Sequence, residues 1–192
     1  MKKIVVFASG SGTNFQALID AVHTGQIKAQ IAGLITDRLG IKAIDRAEKN
    51  SVPVYTIPAE EIEQKLPVIL NSLQPDLIVL AGYLKKVPSD VIQKYEHRII
   101  NIHPSLLPDY GGPGFYGMHV HRSVLQNREK ESGCTVHYVT QKYDKGPIIE
   151  QCKVPVYKND SPELLAKRIL TEEHKLLPKV VKQILNESNK NH

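Results

Sequence analysis

The chain has 192 residues, 41% of them hydrophobic and 23% charged, enough to bury a two- or three-layer core without disulfides or metal. Its two cysteines, Cys134 and Cys152, form no CxxC pair, which argues against a disulfide framework or zinc ribbon and fits a reducing, cytoplasmic compartment. The formal charge of +5 is spread over lysines and arginines beside acidic residues, which disfavours nucleic acid and favours a small anionic ligand; no apolar run approaches the roughly 18 residues of a membrane span.

In chain order, the first expected element is the strand "KIVVFA" (3–8), too short a run for a signal peptide. "FASGSGTNFQALI" then sets Gly10 and Gly12 before the helix "NFQALIDAVHTG", with Thr13 and Asn14 at its start. Free N–H groups and the positive helix end make this an anion site. Phe15 stands where a dinucleotide fingerprint needs its third glycine, although Asp37 closes the second strand, and no Lys-Ser/Thr pair marks a P-loop. A single phosphate is favoured over a dinucleotide, and a merely tight turn is an equal alternative.

Further strands are expected at 30–36, 52–57, 76–82, 98–103, 134–140 and 147–156, and further helices over "LGIKAIDRAEKN", "LPVILNSL", "SDVIQKYE" and "MHVHRSVLQNREK". Pro67 places the start of the third helix near itself and not at Glu60. Ser161, Pro162 and Glu163 predict the start of a long last helix. Strand and helix alternation predicts one α/β domain over 1–192, with a mostly parallel sheet of about seven strands in three layers. Residues 1–100 would form a phosphate-binding half and 101–192 a catalytic half. Ligands of such sheets bind beyond the carboxyl ends of the strands.

That rule draws attention to "IINIHPSLLP" (99–108), where Asn101 and His103 share a face at the end of the fifth strand. An amide donor and an imidazole suit a reaction that builds negative charge on a carbonyl oxygen. Asp144, in "TQKYDKGP", is the carboxylate that would raise the His103 pKa and keep a protonated donor near neutral pH, although alone it reads as a turn residue. No GxSxG elbow supports a nucleophilic triad around Ser105. His119 and His121 point to nearly opposite sides of a helix and read as surface residues, with the alternative that one of them lines the site mouth, and no metal is expected. His137 reads as a half-buried, hydrogen-bonded strand residue, and Glu172, Glu173 and His174 as a solvated helix face.

"NIHPSLLP", the glycine turn and "VHYVTQKYDKGP" together resemble the folate-dependent phosphoribosylglycinamide formyltransferase family over nearly the whole chain. The resemblance implies a Rossmann-like formyltransferase fold and transfer of the formyl group of 10-formyltetrahydrofolate to the amine of 5'-phosphoribosylglycinamide, without metal. It implies catalysis by Asn101, protonated His103 and Asp144; ribonucleotide contacts from Gly12, Thr13, Asn14, Phe15 and Glu173; and folate contacts from Leu84, Lys85, Lys86, Val87, Asn101, His137, Thr140, Gln141, Lys142, Tyr143 and Asp144. Partners would be these small molecules alone, and homodimerisation stays open. Three features depart from the pattern. Leu170 stands where a glutamine would reach the phosphate, Lys65 is the nearest match to an arginine used by some members, and "DYGGPGFYG" is a longer loop whose glycines suggest a mobile lid. A formyltetrahydrofolate hydrolase, a transferase for another amine and a non-catalytic phosphate-binding module are the competing readings.

Overall fold

A computed structural model describes residues 1–187. The strands are β1 (Lys2–Phe7), β2 (Ala29–Thr36), β3 (Val54–Thr56), β4 (Leu77–Leu80), β5 (Ile99–His103), β6 (Glu131–Tyr138) and β7 (Ile148–Pro155). The helices are α1 (Thr13–His23), α2 (Lys42–Lys49), α3 (Ile62–Leu73), α4 (Ser89–Lys94), α5 (Met118–Gln126) and α6 (Pro162–Glu187). One seven-stranded sheet has the order β3-β2-β1-β4-β5-β6-β7. Strands β1 to β5 pair in parallel, and β6 and β7 are antiparallel additions.

Period-two alternation explains the layers. In β1, Ile4 and Val6 pack with Phe15 and Leu18 of α1 and with Leu177 and Val181 of α6, while Val5 and Phe7 pack with Leu66 and Leu70 of α3 and Val91 of α4. Both faces of the sheet are therefore covered, as a parallel sheet of continuous β-branched runs requires. Between β1 and β4 the strand order reverses, leaving a crevice at their carboxyl ends.

Two local expectations need correction. Helix α3 starts at Ile62, with Pro67 in its interior. The apolar stripe Ile62, Leu66 and Leu70 is buried, and the carbonyl of Glu63, which loses its helical partner at Pro67, belongs to an exposed residue on the solvent side of the helix. β6 starts at Glu131, three residues before the apolar run, because pairing with β7 extends to Glu131↔Pro155. The α6 start agrees with the sequence reading: the Leu164 N–H donates to Ser161 Oγ at 3.3 Å and the Leu165 N–H to the Ser161 carbonyl at 3.1 Å.

Candidate active site

The carboxyl ends of β1, β4 and β5 open into a cavity of about 920 Å³, within the range of a small-molecule site. It is bounded by the glycine turn, the 82–87 loop, the end of β5, the 112–118 loop, the 139–144 connection and the first half of α6. No helix among the described residues is long and apolar enough to cross a membrane, and they hold no cluster of metal-ligating side chains.

At one end, Gly12 caps α1 with φ +67, and a Cβ there would meet Ala43 Cβ at 2.7 Å and Cα at 2.8 Å. Only glycine fits both demands, so α2 can close against the turn. Gly12, Thr13 and Asn14 line the cavity. Asn14 Nδ2 donates to Glu173 Oε2 at 2.6 Å, joining α1 to α6, while Asn14 Oδ1 is buried without a partner among the described residues. Glu173 is only 6% exposed, and burial pushes its carboxyl up to about 7 against the opposing Asn14 hydrogen bond. The solvated-face reading therefore fails for Glu173. Phe15 is fully buried in the core and its side chain does not line the cavity; of the positions expected around a phosphate, it is the one the fold withdraws.

At the other end, antiparallel pairing sets Asn101 directly across from His137 and His103 across from Thr135. Asn101 Nδ2 lies 3.0 Å from His137 Nε2, and His137 Nδ1 lies 2.9 Å from the Tyr138 carbonyl. The carbonyl must accept, so His137 carries its proton on Nδ1 and Nε2 receives one Asn101 N–H; the second Asn101 N–H is left for the cavity. His137 is 2% exposed, more deeply buried than its strand pattern suggests. Asp144 stands between the imidazoles, with Oδ2 3.7 Å from His103 Nδ1 and Oδ1 3.5 Å from His137 Nε2. It adopts φ +50 and accepts the Gly112 N–H at 2.8 Å. Burial works to raise its pKa, but the adjoining His137 and His103 imidazoles and the Gly112 N–H prevail and hold it below the usual carboxylate range.

His103 departs from expectation. It is 5% exposed, and burial, the largest influence, lowers its pKa against the upward pull of Asp144 and of the Tyr110 carbonyl. The net direction is downward, so the free site holds a neutral imidazole at neutral pH and not the protonated donor read from the sequence. Nε2 donates to the Tyr110 carbonyl at 2.8 Å, leaving Nδ1 as the position that gains a proton next to Asp144.

The glycine-rich loop is thus bonded to both groups, through Tyr110 to His103 and through Gly112 to Asp144. Ser105 has no place in the site: it is fully buried and donates to the Asp109 carbonyl at 2.7 Å. Thr135 clamps the same turn, accepting the Leu107 N–H at 3.1 Å and donating to the Ser105 carbonyl at 2.6 Å. Leu84, Lys85, Lys86, Val87, Thr140, Gln141, Lys142 and Tyr143 all line the cavity, whereas Lys65 pairs with Glu61 away from it. His119 is exposed, as expected. His121 is the one of the two that lines the cavity and is not a surface residue: it is 5% exposed, and its Nδ1 has no partner among the described residues. Burial, and secondarily nearby His103, lowers its pKa to about 4. The alternation "HVHR" carried no signal for this, since the docking of α5 decides which histidine turns inward.

Residues 2–181 match the family model "Formyl transferase". The chain is 40% identical to the chloroplastic phosphoribosylglycinamide formyltransferase of Arabidopsis thaliana over 97% of its own length, spanning 66% of that relative. It is 36% identical to the Escherichia coli phosphoribosylglycinamide formyltransferase over 93% of its length and 84% of that protein. The glycinamide ribonucleotide transformylase 1 structure from Geobacillus kaustophilus superposes with a TM-score of 0.89 at 39% identity, covering 96% of this chain and 99% of that one. With the parallel sheet, the glycine cradle and the Asn101, His103 and Asp144 constellation in place, the chain belongs to the formyl transferase family, in its phosphoribosylglycinamide formyltransferase branch.

Proposed function

We propose that the chain transfers the formyl group of 10-formyltetrahydrofolate to the amine of 5'-phosphoribosylglycinamide. One observation carries the reading: a single cavity joins a cradle of backbone N–H groups at α1 to Asn101, His103 and Asp144 at β5. The ribonucleotide phosphate takes the Gly12–Asn14 end, with Glu173 beside the sugar. The folate lies against residues 84–87, His137 and residues 140–144, where Lys85, Lys86 and Lys142, without an ion pair among the described residues, make an electropositive mouth for its carboxylates.

In this reading the free Asn101 N–H and the His103 Nε2–H stabilise the oxyanion formed when the amine attacks the formyl carbon, each donor contributing about 3 kcal/mol to lowering the barrier. His103 exchanges the Tyr110 carbonyl for this oxygen. A proton released by the attacking amine is held at His103 Nδ1, where Asp144 stabilises the imidazolium, and passes to the departing folate nitrogen. The enzyme acts in the cytoplasm on small molecules, without nucleic acid or membrane, and its homodimerisation is decided by sedimentation.

The test supplies purified protein with 10-formyltetrahydrofolate, with and without glycinamide ribonucleotide, and follows tetrahydrofolate and free formate. Tetrahydrofolate formed only with the amine, without formate, is the expected result. Formate released without the amine would replace the reading by a hydrolase, and no turnover in either arm would overturn it.

A further inference from the structure

On the α6 side of the cavity the lining residues are Glu163, Ala166, Lys167, Ile169, Leu170 and Glu173. Glu173 is fixed against the start of α1 by its 2.6 Å bond from Asn14, so the turn of α6 before it borders the same cradle. Leu170, one turn back, offers no donor. Lys167 follows one further turn back, about 4.5 Å along the axis from Leu170. It is exposed and has no ion pair among the described residues, and Glu163, its neighbour at i−4, is influenced by Ser161 and Arg122 instead.

A phosphate monoester brings about −1.5 to −2 charges at neutral pH, whereas a helix end supplies only about +0.5. The cradle holds backbone N–H groups, Asn14 and the Glu173 carboxyl; the cation beside it, Arg46, does not line the cavity and is committed to the Ser11 carbonyl at 2.9 Å and to Gln16 at 3.2 Å. Lys167 is the only lysine or arginine that α6 brings to the cavity; the others, Lys85, Lys86 and Lys142, stand on the 82–87 loop and the 139–144 connection. A phosphate binder of the point-charge type is a lysine on a flexible stem, which Lys167 supplies. The Asn14 Oδ1, buried and without a partner among the described residues on a residue 8% exposed, is a second sign of a ligand site at the cradle.

Resting on the formyl-transfer reading for the identity of the ligand, we propose that Lys167 is the cation that neutralises the phosphate of the ribonucleotide substrate and thereby sets the preference for a phosphorylated amine. Leu170 acts as an apolar wall beside it and makes no polar contact.

The test measures binding of ribose 5-phosphate by calorimetry, and KM and kcat for glycinamide ribonucleotide, in the whole protein and in Lys167→Ala, Lys167→Arg and Lys182→Ala. Lys182 lies exposed on the same helix and outside the cavity, so it controls for net charge. Lys167→Ala should weaken ribose 5-phosphate binding and raise KM about tenfold or more, as loss of a charged hydrogen bond does, with kcat little changed. Lys167→Arg should recover most of the loss, and the dependence of KM on salt should become shallower in Lys167→Ala. Equal effects of Lys167→Ala and Lys182→Ala would overturn the proposal, as would an unchanged KM, absence of ribose 5-phosphate binding by the unaltered protein, or a loss found in Lys85→Ala or Lys86→Ala and not in Lys167→Ala. Ribose 5-phosphate binding that depends on Lys167, in a protein that transfers no formyl group, would uphold the phosphate contact and refute the formyl-transfer reading.

Discussion

The two ends of the cavity handle charge in opposite ways. The α1 end is built from backbone N–H groups and an amide that donates to the buried Glu173 carboxyl, so it offers fixed donors to a ligand. The β5 end sets two imidazoles each within 3.7 Å of one carboxylate, so it is suited to moving a proton. Affinity and chemistry are thereby assigned to separate structural units, one a helix start and the other a cross-strand pair. Substitutions at the two ends should separate KM from kcat.

The largest expected effect is at the β5 end. His103→Ala should lower kcat about 10³-fold, in line with loss of one oxyanion donor and a proton carrier, with the KM for the ribonucleotide nearly retained. Steady-state kinetics checks this, and near-normal turnover would remove His103 from the mechanism. At the α1 end, Asn14→Ala should raise the KM for the ribonucleotide about tenfold while kcat stays close to its original value. A matching loss of kcat would erase the distinction between the ends.

A third test concerns pH. Because His103 is neutral in the free site and its pKa lies below the ordinary 6.5, kcat/KM of a Glu173→Gln variant, which lacks the carboxyl titrating near 7, should fall only on the acid side, at a pH below 6.5. Asp144→Asn removes an upward pull on His103, so the acid limb should move to still lower pH while the overall rate drops. A rate that fell as pH rose through 6.5 would instead require protonated His103.

The smallest effect is on stability. His121 has a folded pKa of about 4 against 6.5 when free, so the unfolded chain takes up the proton first, and its contribution, intact above 6.5, is lost as pH falls toward 4. Glu173 runs the other way: raised from 4.5 to about 7, it stabilises fully below 4.5, and that contribution is lost as pH rises toward 7. Over the shared window the two offset each other. Urea midpoints should therefore fall less steeply with acid in His121→Leu and more steeply in Glu173→Gln than in the unaltered protein.

The same contrast explains what could be read from the sequence. Elements β1, β2, β4 and β5 are β-branched runs buried on both faces, and the glycine turn and the Asn101 and His103 pair follow from local pattern, so they were legible. Long-range packing was not. Glu173 and His174 sit in a charged run that periodicity assigns to solvent, and only the docking of α6 on α1, 159 residues away in sequence, buries Glu173 against Asn14. The opposing pulls on His103 were likewise hidden, because burial depends on the Tyr110 loop and on β6, neither adjacent to it in sequence. A carboxylate could be assigned to His103 from residue types, but not the degree of desolvation that outweighs it.

The proton state of His103 is the most direct test of the contrast between the two ends. Nitrogen NMR of the free protein, with the imidazoles assigned through His103→Ala and His137→Ala, should show His103 neutral at neutral pH and protonated on Nε2, with Nδ1 titrating below 6.5. An imidazolium at neutral pH, with both nitrogens protonated and titration above 6.5, would contradict it.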